Sequence, residues 1–138
     1  MVKKLSKKLT QEQKDKLEMK RVLKKRKSVV CSCKRKQPQK DRAKYGTCRC
    51  DGYSFCWSVG LVLSNALYQY ITDAKQIIIR EDFDIIEKHA DAIRDYAEAD
   101  SMDIGDDDIN VRWNHLEKER KWREAMHWLT ENWQGLWW

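Results

Sequence analysis

The chain has 138 residues, 41% hydrophobic and 36% charged, with a single proline, the composition of a globular protein with one core rather than a low-complexity chain. No apolar run approaches the roughly 20 residues that a membrane-spanning helix needs, and the basic start MVKKLSKKLT has no apolar stretch behind it, unlike a secretory signal. A cytoplasmic protein without a membrane partner is expected, and there five cysteines point to reduced thiols or metal ligands rather than disulfides.

The net charge of +6 conceals a division. Residues 1–50 carry 19 Lys and Arg against 4 Asp and Glu, whereas residues 51–138 carry 9 against 18. Such segregation points to a basic segment with a polyanionic partner, or to one half docking on the other.

Residues 1–28 read as a basic arm. Thr10 and Gln13 have the spacing of a capping box, and the helix formers that follow predict a helix. Leu5, Leu9, Leu17, Met19, Val22 and Leu23 form no continuous stripe. The helix is therefore expected to be solvated and to order on contact with something else. Too few large apolar residues line up for binding to a membrane surface.

Residues 29–53 predict a cysteine-rich β-hairpin or knuckle. The run Val29–Cys33 is β-prone, KRKQPQKDRAK is a polar connection, and Gly46 and Gly52 bracket a second Cys-x-Cys. Cys31, Cys33, Cys48 and Cys50 are candidate ligands for a structural zinc ion, since two close thiol pairs joined by a turn supply four soft ligands. Cys-x-Cys is a weaker signal than Cys-x-x-Cys. Its α-carbons lie nearly 7 Å apart in a flat strand, so each pair would have to sit on a bend. A group of reduced cysteines in a small sheet fits the same spacing. Cys56, at the head of an apolar helix, reads as core.

Residues 54–138 predict an acidic, Trp-rich bundle of about three antiparallel helices. In the first, Phe55, Val59, Val62, Leu63, Ala66, Leu67, Tyr70 and Ile71 recur at helical steps, and Gly60 would permit a close helix crossing. The second buries Phe83, Ile86, Ala90, Ile93 and Ala97. The third begins near Asp108 and carries Trp122, Met126, Leu129 and Trp133 at steps of four, three and four. The fold expected is mainly α, with the bundle preceded by the arm and the hairpin.

Basic residues cluster around the cysteines. Lys24, Lys25, Arg26, Lys27, Lys34, Arg35, Lys36, Lys40, Arg42, Lys44 and Arg49 are candidate phosphate contacts, whose affinity would come from counterion release. Tyr45, Tyr53 and Phe55 could stack on unpaired bases or simply pack in a small core. No recognition-helix or RNA-binding aromatic motif supports base-specific readout. Asp103, Asp106, Asp107 and Asp108 lack the alternation and trailing glutamate of a calcium loop, and read as linker or helix-start charge. Glu124 and His127 match only half of a di-iron pattern. No nucleophile elbow, P-loop or glycine-rich cofactor fingerprint supports catalysis.

Of the seven tryptophans, Trp57, Trp122 and Trp133 fit buried positions. Trp113, Trp128, Trp137 and Trp138 are harder to place on that face. Trp128, Trp137 and Trp138 are candidates for a partner anchor, or for a terminus folded back on the bundle.

The segments GYSFCWSVGLVLSNAL and RWNHLEKERKWREAMHWLTENW, within residues 52–134, resemble those of a loose class of small tailed-phage accessory proteins. The resemblance implies an accessory role in the host cytoplasm and carries no activity with it. The function expected is a non-enzymatic, nucleic-acid-associated accessory protein that contacts the phosphate backbone through its basic half. The alternative is an interaction or assembly module, such as a phage structural or host-takeover factor, binding an acidic protein or a second copy of itself through the bundle and its Trp-rich end.

Overall fold

The computed structural model describes residues 8–29, 36–48, 55–74, 80–99 and 101–136. Five α-helices follow in order: α1 (Gln11–Leu23), α2 (Lys36–Tyr45), α3 (Phe55–Asp73), α4 (Arg80–Ala97) and α5 (Ile109–Asn132). One 3-10 turn, Ser101–Gly105, leads into α5, and another, Trp133–Gly135, closes it. No strand occurs among the described residues. The expected hairpin and three-helix count are therefore corrected to a mainly α fold with five helices among the described residues; residues 30–35 and 49–53 of the expected hairpin lie outside them.

The correction centres on α2, where a polar connection was expected. Pro38 falls in the first helical turn, where its missing N–H costs no intrahelical bond. Gln37 Nε2 donates to Asp41 Oδ1 at 2.9 Å, one turn on. The helix ends at Gly46, whose φ of 74° turns the chain while its N–H donates to the Arg42 carbonyl at 2.9 Å. α2 buries none of its side chains.

α3, α4 and α5 form the bundle. Gly60 of α3 lies against Ala97 of α4, and His89 and Tyr96 of α4 meet Trp128 and Trp122 of α5 in reverse order, so consecutive helices run antiparallel. The stripe expected on α4 is buried throughout. On α3 the buried row is Leu61, Ser64, Leu67, Tyr68 and Ile71; Leu67 and Ile71 belong to the row the sequence suggests, whereas Val62 and Ala66 are exposed. α3 is apolar almost all round, so its periodicity does not select a face, whereas packing does. Two small groups, Gly60 and Ala97, set the α3–α4 approach. A Cβ on Gly60 would stand 2.7 Å from that of Ala97.

Asp108 caps α5, its carboxylate accepting from the Asn110 N–H at 2.8 Å. Ala125 and Leu129 enter the core, with Trp122, Met126 and Trp128 packed against it. Trp57, Trp133 and Cys56, expected inside, are exposed. His115 of α5 is buried.

α1 carries the capping box read from the sequence: Thr10 Oγ1 accepts from the Gln13 N–H at 3.3 Å, and Gln13 Oε1 from the Thr10 N–H at 3.0 Å. It is docked rather than solvated. Val22 is fully buried in the cluster that contains Tyr68, Ile71 and Ile86.

Candidate nucleic-acid interface

Docking of α1 sorts its cations into two sets. On the inner side, Arg21 reaches Glu87 through both terminal guanidinium nitrogens, at 2.6 and 3.2 Å, the bidentate geometry favoured for Arg and carboxylate. Lys25 Nζ donates to Glu87 Oε1 at 2.8 Å and to both Asp91 oxygens at 3.0 Å. Asp91 also accepts from the Tyr68 hydroxyl at 2.5 Å. Beyond the helix end, Asn65 holds the backbone of Lys27 at both its N–H (2.8 Å) and its carbonyl (2.7 Å), and Arg26 donates to Gln69 at 2.9 Å. Lys27 Nζ lies 3.7 Å from Glu98.

The electrostatics follow from these contacts. The Arg21 hydrogen bonds, helped by Lys25 and opposed by burial, hold the Glu87 carboxyl down to about 2, below its ordinary 4.5. Burial, with the bond to Asp91, pushes the Tyr68 hydroxyl far above its usual range, so it stays a neutral donor. Lys25, Arg26 and Lys27, three of the expected phosphate contacts, are therefore turned towards the protein itself.

The outer set is different. Lys16, Lys20 and Lys24 follow one another at four-residue intervals on the exposed side of α1, opposite Val22. Lys16 makes a short-range pair with Glu12 at 2.6 Å. Only Lys24 of this row is legible from the charge cluster around the cysteines. The signal that finds the others is the four-residue spacing, once Val22 is known to face inward. On α2, Lys36, Lys40 and Lys44 form a second exposed row with the same spacing. Lys44 Nζ sits 5.0 Å from the ring centroid of Tyr45, itself 65% exposed. Arg42 instead turns back, its Nη2 donating to Cys48 Sγ at 3.4 Å.

Of the candidate zinc ligands, Cys48 is buried beside Arg42, while Cys31, Cys33 and Cys50 lie outside the described residues. Among the described residues no three His, Cys, Asp or Glu side chains converge as a metal site. Lys34, Arg35, Arg49, Tyr53, Trp137, Trp138 and the Phe55 side chain also fall outside them. Trp128 is half-buried, its ring stacked on His89 at a centroid distance of 4.7 Å. Burial of His89 lowers its tendency to take up a proton, which keeps the pair neutral. No helix among the described residues is long and apolar enough to cross a membrane.

Comparison of the chain with protein-family models, with curated proteins and with solved structures gives no match.

Proposed function

We propose that the chain is a non-enzymatic accessory protein that binds the phosphate backbone of nucleic acid through α2. The observation that carries this reading is that α2 buries no side chain and aligns Lys36, Lys40 and Lys44 about 6 Å apart along its axis, beside an exposed Tyr45. A helix with no core to support needs another reason for its composition. A lysine row beside an aromatic face suits a flexible single strand, where the lysines neutralise phosphates and the tyrosine stacks on a base. A structural zinc on Cys31, Cys33, Cys48 and Cys50 belongs to the same reading as a brace next to α2, and native mass spectrometry of the purified chain tests it directly.

The binding test is fluorescence anisotropy with a labelled single-stranded 20-mer and its duplex, across a salt series. Wild-type protein binds both at low salt, with the single strand favoured. Replacing Lys36, Lys40 and Lys44 by Gln lowers the salt slope by about 2–3, roughly one per lost phosphate contact. Tyr45→Ala weakens the single strand alone. Absence of binding at low salt, or an unchanged slope in the triple variant, would overturn the proposal.

A further inference from the structure

We infer that the amino-terminal end of α5 is a docking surface for the outer face of α1 in a second copy of this chain. The inference is independent of nucleic-acid binding by α2. Ile109, Trp113 and Leu116 are spaced four and three apart on the side of α5 turned away from buried His115. They are 56%, 64% and 45% exposed, and with Arg112 they line an open groove of about 250 Å³. Ile104, in the 3-10 turn that packs on α5, is exposed as well. A tryptophan left nearly two-thirds in solvent within an apolar row marks a contact surface rather than a core.

The charges around the groove decide what can cover it. Asp103, Asp106, Asp107 and Asp108 precede the row, and Arg112 is the first cation that follows them in the sequence. A phosphate backbone is repelled there, and a purely apolar occupant leaves the carboxylates without a counterpart. The complement is an apolar contact edged with cations, which the chain itself displays: Leu17, 53% exposed, is flanked on the outer side of α1 by Lys16, Lys20 and Lys24. The two surfaces cannot meet within one molecule. Arg21 and Lys25 tie the opposite side of α1 to α4, which leaves its outer face directed away from its own bundle. The contact therefore joins the α1 face of one molecule to the α5 end of another, either reciprocally in a two-fold dimer or head-to-tail in rings or short chains. Opposed charge makes it salt-sensitive.

Sedimentation velocity of the full chain, free of nucleic acid, tests the inference over a concentration series up to about 100 µM, where contacts of modest affinity are populated. Association is expected in about 50 mM salt and lost in about 500 mM. Lys20→Glu with Lys24→Glu, and separately Asp103→Lys with Asp107→Lys, each weaken it by at least about tenfold, and mixing the two variants restores a complex because each keeps the wild-type surface that the other has lost. Trp113→Ser, at an exposed position, gives the same loss with unchanged helicity. A chain that stays monomeric throughout, including one that instead captures a basic partner protein, would overturn the inference. So would association that survives either charge reversal.

Discussion

Arg21 holds Glu87 with both terminal guanidinium nitrogens, at 2.6 and 3.2 Å, although 66 positions separate them in the chain. The pair turns a segregation of charge along the sequence into tertiary structure. With Lys25 between Glu87 and Asp91, and with Val22 in the core, it fixes α1 on α4 and so determines which cations face outward.

A double-mutant cycle measures the strength of this latch. Arg21→Gln and Glu87→Gln are each expected to destabilise the protein by about 1–2 kcal/mol in urea denaturation, less than a fully buried pair would cost because Arg21 remains half-exposed. The double variant falls short of the summed single effects by about 1 kcal/mol. Strict additivity would show that the pair contributes no coupling.

Acid should release the latch. The Glu87 carboxyl titrates near 2 when folded and near 4.5 when free, so its contribution is complete above about pH 5 and disappears as pH falls towards 2. His89, kept neutral by burial, adds a loss of the same sign at higher pH. Comparing urea midpoints of wild type and Glu87→Gln at pH 7 and pH 3 isolates the latch: the difference between them is large at pH 7 and shrinks at pH 3.

Gly60→Ala tests the helix crossing. In an exposed helix this change stabilises by up to about 1 kcal/mol. Here the new Cβ would lie 2.7 Å from the Cβ of Ala97, on two helices that cannot easily part, and a net loss of about 1–2 kcal/mol is expected. Adding Ala97→Gly recovers part of it, and thermal unfolding of the three variants reads the outcome.

Asp108→Ala removes the cap of α5 and is expected to cost about 1 kcal/mol. Amide exchange should quicken in the first turn of α5 while α1 is unaffected, because the cap and the latch touch different elements.

Local signals made much of this legible in the sequence. The α4 stripe is clear because polar residues interrupt it regularly, and the capping box at Thr10 and the start of α5 near Asp108 are read from side-chain chemistry within a few residues. The face of α3 is not, since Val62 and Leu61 are equally apolar and only the α4 contact distinguishes them. α2 reads as a connection because its helix bonds are local and no apolar residue marks a side. The docking of α1 depends on one valine and two cations whose partners lie more than 60 positions away. Charge segregation announces that the halves can meet, but it does not identify which lysines face inward.

The most direct test of the docked arm is amide hydrogen exchange over residues 11–24 at pH 7, in wild type and in Glu87→Gln. A docked α1 exchanges slowly in wild type and at least about tenfold faster in the variant, with the amides of α4 and α5 unchanged. Exchange of residues 11–24 in wild type at the rate of an isolated peptide, or protection that does not change when Glu87 is replaced, would contradict it.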